Sequence, residues 1–206
     1  MVCKVGKDPT MEVCRSVDFV LYVAIAASRK AESRGGKQMA KFQIDTTDLY
    51  WIDGSMDNPE DLCLHGHVIT YIGEEKLEYD CTVSATALYL LKTLTEDHII
   101  YEDNQMMPCC GHFYVSDAKL ENVTISGCDN GIDWTVKHSG KDVVLTLENG
   151  RKEIIPLEEY KQEVYRFVDK IEEYYKSCSP KKLPEDSFSC DGYIAFWNEW
   201  HRRRNM

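Results

Sequence analysis

Between residues 131 and 175 the apolar positions change period once, from every second residue to every third and fourth. Ile132, Trp134 and Val136 alternate with polar residues, as do Val143, Leu145 and Leu147, the signature of half-buried strands. Ser139-Gly140 and Asn149-Gly150 are two-residue turn signals between these runs, and the Asn-Gly pair suits a type I′ turn. A hairpin closed on Ser139-Gly140 sets Val136 opposite Val143, Trp134 opposite Leu145 and Ile132 opposite Leu147. A second one closed on Asn149-Gly150 sets Leu145 opposite Ile154, with Glu148 facing Arg151 on the wetter side. Past Pro156, Leu157, Tyr160, Val164, Phe167, Val168, Ile171 and Tyr175 recur at helical spacing, and Glu163, Arg166, Asp169, Lys170 and Glu173 fill the other side. Pro156 fits the first turn of that helix, and Glu158 and Glu159 favour its positive end.

The preceding chain predicts one or two strands over 41–52, a longer one over 64–72, and another over 76–81 after Gly73-Glu74-Glu75. Thr82 or Ser84 can cap a helix whose Val83, Ala87, Leu90, Leu91 and Leu94 form an apolar stripe. Short strands follow near 98–102, 113–115 and 120–126. After a proline-bearing loop over 179–189, Asp191 can cap a last helix, in which Tyr193, Ile194, Phe196, Trp197, Trp200 and His201 crowd one side for docking. These elements predict an α+β fold: a meandering antiparallel sheet with helices at about 82–95, 156–177 and 191–204 packed mainly on one face. The hairpins over 132–155 exclude a parallel doubly wound sheet there.

Charge divides the chain. Residues 1–38 hold seven Lys/Arg and four Asp/Glu, whereas residues 39–206 hold 17 and 31, a formal −14. Residues 1–38 therefore stand as an N-terminal extension outside a single domain over 39–206. Within the extension the apolar run 19–27 suits a short buried helix or a signal-peptide core, and is too short to span a bilayer. Arg34-Gly35-Gly36-Lys37-Gln38-Met39 can also be encoded by a purine-rich stretch ahead of a start codon, which would make Met39 the natural start. Nine cysteines, an odd number with two adjacent at Cys109-Cys110, point to the cytoplasm rather than an oxidising compartment.

The acidic balance opposes attraction to nucleic acid or an anionic membrane and favours a basic protein partner. Its densest expression is the loop holding Asp53, Asp57, Glu60 and Asp61 beside Tyr50 and Trp51, carboxylates with aromatic anchors. The chain therefore suits a protein-binding module such as an immunity-type inhibitor of a basic bacterial toxin, with no cofactor. The competing expectation is a zinc- or cysteine-dependent enzyme. Cys63, His65 and His67 share one face of a strand, and Cys109, Cys110 and His112 lie close together further on, so the two segments could complete a tetrahedral site. Cys110 with His112, or Cys109 with His98, supplies a thiol and a base. No phosphate-binding glycine loop, zinc-protease helix, nucleophile elbow or EF-hand loop occurs in the sequence.

Overall fold

Strict alternation forms the first sheet. In β1 (Phe42–Tyr50) Phe42, Ile44 and Thr46 are buried and the residues between them exposed. The computed structural model describes residues 40–102, 104–110 and 113–206, so the expectations for residues 1–38 and for His112 fall outside the described residues. β1 pairs with β2 (His65–Ile72), and β2 with β3 (Glu75–Cys81), as an antiparallel meander. The second hairpin closes on Gly73-Glu74, with Gly73 in the left-handed region at φ 62°. A second three-stranded sheet, in the order β10-β9-β8, holds β8 (Thr135–Ser139), β9 (Asp142–Thr146) and β10 (Lys152–Pro156). Two short ribbons complete the strands of the described residues: β4 (Met107–Pro108) with β7 (Gly131–Ile132), and β5 (Phe113–Ser116) with β6 (Val123–Ser126). The fold is α+β, with its antiparallel strands divided among several sheets.

Among the described residues, three helices bind these sheets together. In α1 (Val83–Lys92) every residue from Val83 to Leu91 is buried, beyond the single stripe that its sequence predicts. It lies against α2 (Leu157–Ser177), α3 (Ser187–Arg204), β2 and β4, and its buried hydroxyls are bonded, Ser84 Oγ accepting the Leu64 N–H at 3.2 Å and Thr86 Oγ1 lying 3.6 Å from Cys81 Sγ. α2 buries the expected stripe from Tyr160 to Tyr175, with Leu157 half-buried at its start and the Phe42 and Tyr160 ring centroids 4.9 Å apart. Its polar face caps the outer edge of β1. The Ile44 N–H donates to Glu163 Oε1 at 2.9 Å, the Ile44 carbonyl accepts from Arg166, and the Thr46 carbonyl accepts from Lys170 at 2.6 Å. An edge strand whose backbone groups are already bonded offers no template for another strand.

α3 starts before the expected cap at Asp191: Asp186 is the N-cap, its carboxylate accepting the Ser189 N–H at 2.8 Å. Phe196 and Trp200 are fully buried, and Phe196 stacks on Tyr114 at 4.9 Å. Gly192 makes this docking possible, since a Cβ there would lie 1.9 Å from the Tyr114 carbonyl oxygen. The three final arginines are engaged within the domain. Arg203 is buried against Glu199 and Glu96, Arg204 holds both Asp169 oxygens, and Arg202 bonds Asn122.

Both hairpin registers differ from those expected. The first closes on Gly140-Lys141, so Val136 faces Leu145 and His138 faces Val143. Gly140 has φ 65° and Lys141 a negative φ, as a type II′ turn requires. This is a two-residue shift, so the inward face is kept. Ile132 instead pairs with Met107 in the β4–β7 ribbon. The second hairpin departs by one residue and therefore reverses its face. The Gly150 N–H donates to Leu147 O, the Leu147 N–H donates to Arg151 O, and Gly150 alone takes a left-handed φ of 82°. That is a three-residue loop with a glycine bulge, not type I′. Leu145 consequently faces Glu153, Ile155 is buried, and Ile154 is 54% exposed.

Candidate functional site

The acidic loop begins where β1 breaks pairing between Thr47 and Tyr50, with Asp48 in the left-handed region at φ 52°. Trp51 then turns inward and is fully buried. Its Nε1–H donates to Met56 O at 3.2 Å, its ring meets the edge of Tyr175 at 5.2 Å, and Lys181 Nζ sits 2.9 Å from its ring centroid. Burial lowers the Lys181 pKa, an effect the nearby acids oppose. The expected aromatic anchors therefore serve the interior: Trp51 is the plug under the loop, and half-buried Tyr50 stacks on His65 at 5.7 Å.

The carboxylates fasten the loop. Asp53 accepts from the Ser55 N–H and hydroxyl at 2.9 and 2.6 Å and from Asn58 at 3.0 Å, and these bonds hold its pKa below the ordinary carboxylate value. Asp61 accepts the Ile52 N–H at 2.6 Å and the Cys63 N–H at 3.0 Å. Asp57 accepts from the Ser179 hydroxyl at 2.6 Å, while the Lys182 N–H donates to Pro59 O at 2.8 Å. Glu60 pairs with Lys182 at 3.1 Å, a pair too exposed to contribute more than about 1 kcal/mol. The apolar groups that face solvent are Ile52, 71% exposed, and Met56, 77% exposed. Beside the loop, a cleft of about 320 Å³ is lined by Tyr175, Lys181, Tyr193, Trp197 and His201.

The proposed zinc ligands divide among different neighbours. The Cys63 thiol bonds the Tyr114 hydroxyl at 3.3 Å, and burial pushes its pKa up to about 11. His65 is buried, and His67 Nδ1 lies 2.8 Å from Asp80, its partner across the β2–β3 ladder. His98, considered as a base for Cys109, lies 2.7 Å from Asp133. Among the described residues, Cys63, His65 and His67 share no group of metal-binding spacing with Cys110, whose sulfur lies beside those of Cys109 and Cys128. The β4–β7 ribbon sets Cys109 and Cys110 beside Cys128, which spacing alone did not single out.

Cys110 Sγ lies 3.1 Å from both Cys109 Sγ and Cys128 Sγ, and all three sulfurs fall within 4.8 Å of one another. Among the described residues this is the one group of three or more His, Cys, Asp or Glu side chains with metal-binding spacing. Hydrogen bonds with the other two thiols push Cys109 up to about 12. Comparison with family models, curated proteins and solved structures finds no match to this chain.

Proposed function

We propose that the domain is an acidic protein-binding module that engages a basic partner through residues 52–61, as an immunity-type inhibitor of a basic bacterial toxin does in the cytoplasm. One observation carries this reading. Ile52 and Met56 project from a loop whose backbone is fixed by Asp53, Asp57 and Asp61 and whose floor is Trp51. A fixed loop loses little conformational entropy on binding, so exposed apolar contact is converted into affinity more fully. Surplus carboxylates speed encounter with a cationic surface, while the apolar pair sets the dissociation rate.

Other features agree. Arg202, Arg203 and Arg204 are engaged within the domain, so these three arginines are not a free basic segment for nucleic acid. Seven described cysteines form no disulfide, as suits a reducing compartment. Among the described residues no helix is long and apolar enough to cross a membrane.

The test is affinity capture by the full chain from cells of its source, followed by binding measurements on the recovered partner. Replacing Ile52 and Met56 together by Ser leaves the loop's backbone bonds in place and is expected to weaken binding by roughly tenfold or more. Raising salt is expected to slow association. Recovery of no stoichiometric protein, or a partner indifferent to both changes, would overturn the reading.

A further inference from the structure

We infer that Cys109, Cys110 and Cys128 form a binding site for a thiophilic d10 cation, Zn2+ or Cu+, independent of the partner-binding loop. Three facts support it. The sulfurs converge although Cys128 lies 18 residues beyond Cys110, because the β4–β7 ribbon closes the intervening chain into a loop. The ribbon is tightly set. The Cys109 N–H donates to Asn130 O at 3.0 Å, and a Cβ on Gly131 would lie 2.4 Å from Met107 O, so only glycine fits that approach. Finally, all three thiols are half-buried, within reach of solvent yet partly shielded from it.

The chemistry suits a soft cation. The 3.1 Å separations are far too long for a disulfide, whose sulfurs lie about 2.05 Å apart. Metal–sulfur bonds of about 2.3 Å place thiolates roughly 3.8–4.0 Å apart, so side-chain rotation of under about 1 Å at each sulfur suffices. Binding exchanges three S–H protons for three metal–sulfur bonds, releasing up to three protons and turning a dication into a site of net charge −1. Three thiolates complete a trigonal Cu+ site, whereas Zn2+ takes water as its fourth ligand. The proton release makes affinity rise with pH.

The full chain, reduced with a phosphine and stripped with a chelator, is titrated with Zn2+ or, without oxygen, with Cu+ against a chromophoric competitor. The expected result is about one equivalent of one cation per chain, lost in Cys110→Ser and Cys128→Ser and kept in Cys178→Ser and Cys190→Ser. Which cation wins separates the two chemistries. Peptide-mapped alkylation of the unaltered chain covers the case in which the serine variants fail to fold. The bound cation must slow modification of Cys109, Cys110 and Cys128 while leaving Cys178 and Cys190 unchanged. Retention of neither cation, retention by a folded Cys128→Ser variant, or equal alkylation rates with and without cation overturns the site. So does a disulfide from Cys128 to Cys109 or Cys110 in a protein whose reduced form binds no cation.

Discussion

Glu199→Ala tests how α3 is held. The Glu199 side chain is 1% exposed and joins three elements. Its Oε2 accepts the Val123 N–H of β6 at 2.7 Å, and its Oε1 accepts from Arg203 at 2.8 Å and lies 3.4 Å from Lys92 of α1. Truncation leaves the Val123 N–H without its acceptor, a cost of about 1–3 kcal/mol. It also removes the main counter-charge of Arg203, 7% exposed, which keeps only the outer carboxylate of Glu96. Breaking a buried pair from one side costs about 3–5 kcal/mol in all. For the 167 residues from Ala40 to Met206, that lowers Tm by roughly 6–20 °C. Urea unfolding followed by tryptophan fluorescence measures the loss, with an unchanged slope confirming that the native state keeps its extent. Glu199→Leu combined with Arg203→Met should recover part of the stability, since neither charge is then stranded. A loss under about 1 kcal/mol for Glu199→Ala would refute the claim that this network anchors the helix.

Two further outcomes probe the hairpin and the interior thiol. Ile155→Ala is expected to cost about 2–5 kcal/mol in urea unfolding and Ile154→Ala less than about 0.5 kcal/mol; the reverse order would restore the register expected from an Asn-Gly type I′ turn. Burial pushes the Cys81 thiol from 9.0 up to about 12. The unfolded chain therefore loses this proton first as pH rises. The stabilisation is complete below pH 9 and declines as pH climbs towards 12, so Cys81→Ala should flatten the alkaline arm of the stability curve. An equally steep arm in that variant would remove Cys81 as its source.

The long helix was legible because its stripe repeats over five turns, and no alternative burial satisfies Tyr160, Val164, Phe167 and Ile171 together. The hairpin faces were legible only in part. Asn149-Gly150 suits a type I′ turn as a dipeptide, but the backbone can use Gly150 alone in the left-handed region, and that one-residue choice exchanges Ile154 for Ile155 in the core. Asp186 and Asp191 are equally good caps locally; docking Gly192 against Tyr114 selects the earlier start. The site was harder still. An aromatic beside acidic residues has the same pattern whether it faces a partner or lies under the loop, and Trp51 takes the second course because Tyr174, Tyr175 and Lys181 enclose it from far along the chain. Cys128 acquires meaning only through β4–β7 pairing between strands of two residues each, too short to leave a period in the sequence.

The shield over the edge of β1 has a cost in time. Ile44 meets Glu163 and Arg166, and Thr46 meets Lys170, across separations of 119, 122 and 124 residues. At about 5–20 residues per second, synthesis leaves that strand bare for roughly 6–24 s before the residues that cover it are made. During that interval a nascent chain with β1 and β2 already paired presents an open edge to its neighbours on the same polysome. The covering side chains are charged and all come from one helix, so the exposure lasts at least until α2 has been synthesised.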